Sequence, residues 1–293
     1  MASISWIVGG TQYSLDDFTY AKLLNHDGFG LPPIRRLEES GPNQHGVTDR
    51  GFRYDAKVIV LTLGVAGNTL EEFYQKRNQL ANIFKARNTP GRLRFQTGSV
   101  VRDIYCNAIG DSLSFSGGRS HTYQTVAVAL RCPDPTWYDP TSVALSFLIS
   151  IGENLGVIPM LVPMQVGKGT LDATRIINYA GTAETFPRIR ITGPVDDAVI
   201  THQQTGLKLD FDGVTISAGT WVEIDTRYGV KTVIDSTGAN RIADLTSDSD
   251  LALFSILPSP EVSGGVNTLR VTGDNVSGAT GALVTFSTRF IGV

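Results

Sequence analysis

The chain has 293 residues, 41% of them hydrophobic, and its 25 Lys and Arg oppose 28 Asp and Glu for a formal net charge of -3. A chain of this length buries about 70% or more of its unfolded surface, which excludes a disordered tail and a mini-protein that needs a metal ion or disulfides to fold. The near-neutral charge gives no reason to expect nucleic acid or acidic lipid as the main partner, and two cysteines are too few for a disulfide framework or a multi-cysteine zinc site.

The N-terminus predicts a protein without a targeting segment. Residues 1–10 lack a basic region before their short apolar run, so we expect no signal peptide. The most apolar stretch, residues 143–164, is interrupted by Glu, Asn, Gly and Pro, whereas a spanning helix needs about 20 largely apolar residues. We therefore expect a soluble protein that is made in the cytoplasm and is not exported from that compartment, with no membrane as partner.

A change of composition predicts a boundary after residue 139. The segment 132–140 is rich in Pro and Asp, which at this density cannot continue a central strand. The chain carries 15 basic and 13 acidic residues through Asp139, and 10 basic and 15 acidic residues after it. We expect a first domain at residues 1–139 and a second at residues 140–293.

The first domain contains one predicted helix, which begins after Thr69. Thr69 and Glu72 have the spacing of a capping box, in which hydroxyl and carboxylate accept each other's free backbone N–H groups. The turn sequence at residues 88–91 ends the helix. Between these limits, apolar residues recur at three- and four-residue steps and predict one buried stripe: Leu70, Phe73, Tyr74, Leu80, Ala81 and Phe84.

Strands are predicted on both sides of this helix. Residues 57–65 form a continuous β-branched run, the pattern of a strand buried on both faces. Residues 92–96 and 100–109 flank a Thr-Gly-Ser turn and predict a hairpin, and residues 123–132 alternate. The first domain is therefore predicted to be a β-sandwich or barrel with one helix packed against its sheet.

Residues 28–53 differ from the rest of this domain because they are rich in Gly, Pro and charge. The sequence predicts a structureless insertion, which is unusual in a compact domain unless it is functional or ordered by a partner. Because such a segment can be ordered by contact with another chain, the insertion is our candidate for an inter-subunit arm. Its candidate residues are Gly28, Gly30, Pro32, Pro33, Pro42, Asn43 and Arg50.

The second domain is predicted to consist of strands and turns alone. Gly-containing turns separate short strands at roughly 8–12-residue spacing, which suggests a sandwich or jelly roll. The predicted strands are residues 143–151, 157–166, 188–192, 207–211, 221–225, 231–235, 268–271 and 283–290.

No constellation for catalysis or metal binding can be assembled from the sequence. His26, His45, His121 and His202 lack metal-ligand spacing. Three partial motifs each miss a defining feature: residues 110–114 as a nucleophile elbow, 28–33 as a dinucleotide fingerprint and 167–170 as a phosphate loop. We therefore expect no enzyme, no cofactor and no metal.

Weaker signals remain in the acidic, cysteine and aromatic residues. Calcium needs six to eight oxygens, so the acidic segments 210–213 and 244–250 are interpreted as hairpin tips. Cys106 and Cys132 are interpreted as buried thiols. Trp221, with Asp210 and Asp212, is a candidate sugar contact, although aromatic residues also fill cores and the sequence does not assign the face of Trp221.

The order of the motifs resembles that of a known family. The matching segments are residues 27–36 (DGFGLPPIRR), 43–46 (NQHG), 70–80 (LEEFYQKRNQL), 132–138 (CPDPTWY), 178–187 (NYAGTAETFP), 191–194 (ITGP) and 265–269 (GVNTL). Together they resemble the distal tail proteins of bacteriophages with long, flexible, non-contractile tails.

This resemblance implies a structural protein of the virion. Family members form a hexameric ring at the tail tip, which joins the tail-tube protein to the tail-tip hub or fibre proteins, and DNA only passes through as cargo. The resemblance implies a tail-tube-like first domain that makes the ring and a galectin-like or carbohydrate-module-like second domain on its outside.

Two alternatives stay open. A tail-tube or other minor tail subunit would use the same β fold but would polymerise into tubes. A two-domain carbohydrate-binding adhesion protein would depend on Trp221 and its polar neighbours, with a host surface glycan as partner.

Overall fold

The computed structural model describes residues 3–110, 113, 115, 120–148 and 169–293. The chain divides into two compact units, one of Met1–Pro140 with Arg289–Val293 and one of Thr141–Thr288. The chain end belongs to the first unit, where Arg289 Nη2 donates to both carboxylate oxygens of Asp134 at 2.8 Å. The predicted domains, 1–139 and 140–293, differ from these units at Pro140 and in the last five residues, and their separate roles remain predictions.

The first unit is built from strands and one helix. Its elements are β1 (Ser3–Val8), β2 (Thr11–Ser14), β3 (Lys22–Asp27), β4 (Ile34–Glu39), β5 (Thr48–Tyr54), β6 (Lys57–Ala66), α1 (Leu70–Phe84), β7 (Gly91–Thr97), β8 (Val100–Ala108), β9 (Tyr123–Cys132) and the start of β10 (Trp137–Leu148).

Seven of these strands surround one hydrophobic core. They pair antiparallel in the order β3-β6-β9-β8-β7-β1-β2. Alternate side chains point inward and are buried, among them Trp6, Leu63, Ile104 and Leu130. The predicted hairpin of β7 and β8 is confirmed, since Thr97 pairs with Val100 across a two-residue turn.

Helix α1 begins and is capped as the sequence predicts, but its details differ. Thr69 Oγ1 accepts the Glu72 N–H at 3.1 Å, whereas the Glu72 carboxylate accepts the N–H of Asn68, not of Thr69. The buried face comprises Phe73, Leu80, Ile83 and Phe84. The predicted burial of Leu70, Tyr74 and Ala81 is wrong, because at about 100° per residue these three positions lie roughly a quarter turn or more from the centre of that face.

Strand β6 is not buried on both faces. Ile59, Leu61 and Leu63 are buried, but Val58 is 44% exposed, and Val60 and Thr62 are half-buried. The continuous apolar run predicted a doubly covered strand, yet the helix and core cover one face of this sheet. The other face stays accessible.

Residues 28–53 are not structureless. Strands β4 and β5 pair with each other in a two-stranded antiparallel sheet, with Ile34 opposite Tyr54 and Arg36 opposite Phe52. β-Branched and aromatic residues at paired positions favour strands even where glycine and charge are frequent. We call residues 34–54 the exposed hairpin, because every residue of β4 and all of β5 except Gly51 are exposed.

The predicted break at residues 132–140 is also wrong in part. Strand β10 begins at Trp137 and continues through Asp139 and Pro140, and Tyr138 pairs with Asp103 of β8. Proline lacks a backbone N–H, so a strand tolerates it at positions where the ladder needs no hydrogen bond from that residue. Pro140 is exposed.

In the described part of the second unit, strands are accompanied by two short 3-10 helices. Its strands are β11 (Gly169–Asn178), β12 (Arg188–Thr192), β13 (Val195–His202), β14 (Lys208–Asp210), β15 (Thr215–Ile216), β16 (Trp221–Asp225), β17 (Thr232–Asp235), β18 (Val266–Val276) and β19 (Gly281–Phe290), together with the end of β10.

These strands form two antiparallel sheets around a second core, so the predicted mainly β sandwich is confirmed. The orders are β17-β16-β12-β19-β10 and β11-β18-β13-β14, with β15 paired to β13. Ile189, Ile224 and Val284 from one sheet and Ile200 and Val271 from the other are fully buried. The strand predicted at residues 157–166 and the end of that at 143–151 lie outside the described residues.

Candidate assembly surface

The root of the exposed hairpin is fixed in the first core. Phe29 is buried and stacks on His26 with a centroid distance of 4.0 Å, and it meets Trp137 edge-on at 5.3 Å. Gly28 has φ +85, and a Cβ there would overlap the carbonyl oxygen of Val58. Glycine is therefore required where the chain turns out of the core towards the hairpin.

Hydrogen bonds close the base of the hairpin. Lys57 Nζ donates to Gly30 O, and Asp55 N donates to Pro33 O at 2.9 Å. Burial lowers the pKa of Lys57, although its side chain still holds the chain at Gly30. Pro32 is buried and Pro33 is exposed. Of the predicted arm residues, Gly28, Gly30, Pro32 and Pro33 therefore form the root.

The remaining predicted arm residues lie in the hairpin itself. Pro42 and Asn43 are at its tip, where Asn43 has φ 65 and Gln44 N donates to Gly41 O at 3.1 Å. Arg50 lies on β5 and pairs with Glu39 of β4 at 2.7 Å. All residues from Gly41 to Arg50 are exposed.

The two faces of the exposed hairpin differ in chemistry. Ile34, Phe52 and Tyr54 share one face and are 50%, 52% and 36% exposed. The Phe52 and Tyr54 rings meet at 5.3 Å, and the Arg36 guanidinium lies over Phe52 at 5.7 Å. We call Ile34, Phe52 and Tyr54 the apolar hairpin face.

The opposite face carries ion pairs. Arg35 and Arg53 approach Asp55 at 3.0 and 3.6 Å, with all three side chains at least one-third exposed. Exposed ion pairs of this kind contribute about 0–1 kcal/mol each, and a lone two-stranded hairpin is marginally stable in water. The hairpin therefore has little internal stabilisation while it presents large apolar side chains to solvent.

A second accessible apolar surface lies on the same unit. Val58, Val60 and Thr62 of β6 face outward beside Ala127 and Ala129 of β9, which are their cross-strand partners or neighbours. We call these five residues the outer sheet face. Its side chains are small, and charged residues lie beside two of them, since Val58 pairs with Arg131 and Val60 with Asp27. An element that packs on this surface therefore needs polar groups next to its apolar side chains.

In the second unit, Trp221 is in contact with a charged side chain. The Arg190 guanidinium lies 4.2 Å from the centre of its ring, and Arg190 Nη2 also pairs with Glu223 at 2.7 Å. Burial alone would raise the pKa of Glu223, but the hydrogen bonds from Arg190 and Arg188 hold it below its usual value. Trp221 is thus one end of an arginine–carboxylate row across β12 and β16.

The predicted sugar partners of Trp221 belong to the other sheet. Asp210 ends β14, accepts the Asp212 N–H at 3.0 Å and pairs with Lys208 Nζ at 3.0 Å. Lys208 also binds Asp248 at 2.6 Å and lowers the pKa of that carboxyl to about 2. The structure thus joins the two acidic segments, with a lysine ammonium between their carboxylates, and it puts Trp221 and Asp210 in different sheets.

The described residues give no structural support to a catalytic or metal-binding role for the four histidines or for the partial motifs of the sequence. His26 stacks on Phe29, His202 is buried against Asn267, and His45 and His121 are exposed. Within the described ranges, no group of three or more His, Cys, Asp or Glu residues is placed to hold a metal ion. Most of the 110–114 and 167–170 motifs lie outside the described residues. None of the helices described here is long and apolar enough to cross a membrane.

Comparison with known proteins finds a family match within the unit that carries the exposed hairpin. Residues 11–132 match the family described as phage tail protein RIFT-related domain. The matched segment thus spans strands β2 to β9, including the exposed hairpin and the outer sheet face.

Solved structures extend the likeness to the whole chain. The SPP1 Dit (gp 19.1) protein, described as a paradigm of the hub adsorption apparatus in phages that infect Gram-positive bacteria, is 15% identical with a TM-score of 0.66 over 98% of this chain and 99% of that chain. A chain of the phage P2 baseplate in its activated conformation with Ca is 14% identical with a TM-score of 0.50 over 98% of both chains. A search of the curated proteins finds no match. The predicted resemblance to the distal tail proteins is confirmed, and at these identities the structures show a shared fold.

Sequence reasoning found the location of the exposed hairpin but missed its form. Ile34, Phe52 and Tyr54 are separated in the chain by glycine, proline and charge, so no periodic pattern extends over them. The outer sheet face was missed because the run in β6 predicted burial on both sides. The small residues Ala127 and Ala129 at alternate positions of β9 were the available signal.

Proposed function

We propose that this chain is a structural component of a phage tail tip, in which six copies close into a ring. The ring joins the tail tube on one side to the tail-tip hub and fibre proteins on the other, within the virion. The match of residues 11–132 to a phage tail domain and the Dit-like fold support a structural, non-enzymatic role in a tail or baseplate.

The apolar hairpin face carries this proposal. Ile34, Phe52 and Tyr54 are exposed on a hairpin with weak internal stabilisation, so covering them is favourable by about 25 cal/mol per Å² of apolar area. A neighbouring copy offers a surface of matching chemistry, the outer sheet face. We infer that each hairpin lies on the outer sheet face of the next subunit.

The two surfaces fit the geometry of a closed ring. They are different parts of one chain, so the contact between copies is head-to-tail, and head-to-tail contacts close into rings when the rotation per subunit divides the circle. The hairpin is anchored at Phe29 and Gly30, which holds its direction while its strands reach outward.

Substitution of the apolar hairpin face tests the proposal. In the double variant Phe52→Ser/Tyr54→Ser we expect loss of the hexamer in native mass spectrometry and an unchanged circular dichroism spectrum, because both side chains are exposed in the single chain. The matched control is Ile176→Ser/Leu253→Ser, which removes two exposed apolar side chains from the second unit.

The outcomes separate the alternatives. The control should still form hexamers. A Phe52→Ser/Tyr54→Ser variant that assembles as well as the unaltered chain would refute the role of the hairpin, and tubes in place of rings in negative-stain images would favour a tail-tube subunit.

A further inference from the structure

We propose that Cys106 and Cys132 form an oxidation site, in which a small-molecule disulfide converts the two thiols into a cross-strand disulfide that joins β8 to β9. These are the two cysteines of the chain. Both are fully buried, and their Sγ atoms lie 2.8 Å apart. That separation is shorter than an ordinary contact between thiol sulfurs, so little movement separates the pair from a bond.

The strand register places the two residues face to face. Asn107 pairs with Arg131 and Ala108 with Leu130 in the antiparallel ladder of β8 and β9. The next position of the same register is Cys106 opposite Cys132. Residues directly opposite in antiparallel strands have Cα atoms about 4.5–5.5 Å apart, within the range of about 4.4–6.8 Å that a disulfide spans.

The surroundings explain why the pair is both protected and reactive. Burial raises the pKa of the Cys106 thiol, so the closed structure holds it protonated. The Lys57 ammonium nearby opposes this effect and favours a thiolate once solvent enters. Oxidation is therefore slow and requires transient opening of the strands, whereas the product matches the native geometry.

The reaction balances as a thiol–disulfide exchange. One thiolate attacks a sulfur of oxidised glutathione and releases one glutathione thiolate, which leaves a mixed disulfide on the protein. The second cysteine then attacks the protein sulfur and releases the second glutathione. The protein loses two hydrogens, and the oxidant gains them as two glutathione thiols.

The consequence is a covalent link beside the root of the exposed hairpin. The link closes a loop between positions 26 apart in sequence, and restraining such a loop in the unfolded chain stabilises the folded state. A chain made reduced in the cytoplasm would gain this link on exposure to an oxidising medium. We expect an increase in Tm of about 5–10 °C.

The test compares native and unfolded chain in the same glutathione redox buffer. After equilibration, free thiols are alkylated under denaturing conditions and the intact mass is measured. We expect the native chain to contain the internal disulfide at a glutathione ratio at least tenfold more reducing than the ratio that oxidises the chain in urea. A refolding cycle in the same buffer removes slow opening as an explanation for a negative result.

Single-cysteine variants serve as controls. Cys132→Ser should show no internal disulfide and no rise in Tm under the same treatment, and Cys106→Ser should behave alike. The proposal is overturned if the refolded chain keeps both thiols open to alkylation, if it carries only glutathione adducts, or if native and unfolded chains oxidise at the same ratio.

Discussion

At the scale of single residues, Gly28 controls the point where the exposed hairpin leaves the core. We expect Gly28→Ala to destabilise the first unit by about 3 kcal/mol, since alanine at φ +85 is strained and its Cβ would overlap the Val58 carbonyl oxygen. Urea unfolding measures this loss. Gly46→Ala is the matched control, because Gly46 has φ +81 with open space around it, so this substitution should cost only the backbone strain of about 1–2 kcal/mol. Equal losses in both variants would contradict the account.

His202 gives the second unit a defined pH dependence. Its Nδ1 accepts the Thr205 N–H at 3.3 Å, so the neutral ring carries its proton on Nε2 and donates to Asn267 Oδ1 at 2.8 Å. Burial lowers the pKa of His202 below its ordinary value of 6.5. The unfolded chain therefore takes up a proton first as the pH falls.

The lowered pKa of His202 sets how the stability of the second unit depends on pH. The stabilisation by neutral His202 is fully present above pH 6.5 and is lost as the pH falls towards the folded-state pKa, with a slope of at most about 1.4 kcal/mol per pH unit. Urea unfolding of the second unit between pH 7.5 and 5, compared with His202→Gln, measures it. Parallel pH profiles for the two proteins would exclude His202 as the titrating group.

At the scale of elements, most strands with a simple pattern were predictable. Strands β9, β12 and β16 have the predicted bounds, because each alternates or forms a compact β-branched run. Strand β13 was missed, since its register shifts between Asp196 and Val199 and Asp197 has φ 52, which interrupts the alternation. The capping residue of α1 was predictable from local spacing, but its buried face depends on what packs against it.

The exposed hairpin shows the same limit of local reasoning. Glycine, proline and charge in residues 28–53 indicate the absence of a core, and the hairpin indeed lies outside the core. Its strands depend on cross-strand pairs such as Ile34 with Tyr54, which are 20 positions apart and leave no local signal. The location of the site was therefore predictable, and its apolar face was not.

We expect the first unit to fold without the tip of the exposed hairpin. We expect deletion of Pro42–Arg50 to leave a cooperative melting transition and the β-sheet circular dichroism spectrum intact, because all nine residues are exposed. The same deletion should abolish the hexamer, because it removes Thr48 and Asp49, the ladder partners of Glu39 and Glu38, and with them the strand pairing that holds Phe52 and Tyr54 in place. A chain that unfolds on deletion would show that the segment stabilises the fold itself, and a deleted chain that still forms hexamers would show that the contact lies elsewhere.

At the scale of the whole molecule, we propose a subunit whose function is assembly. The first unit presents two different surfaces with accessible apolar side chains, the apolar hairpin face and the outer sheet face. The second unit has its own core of buried residues from two sheets, so we expect it to remain folded whether or not the ring forms.

Native mass spectrometry of the purified full chain tests the central claim most directly. Across micromolar concentrations the account predicts a hexamer as the main species, with six-fold rings when the same sample is imaged. A chain that stays monomeric over that whole range would contradict it.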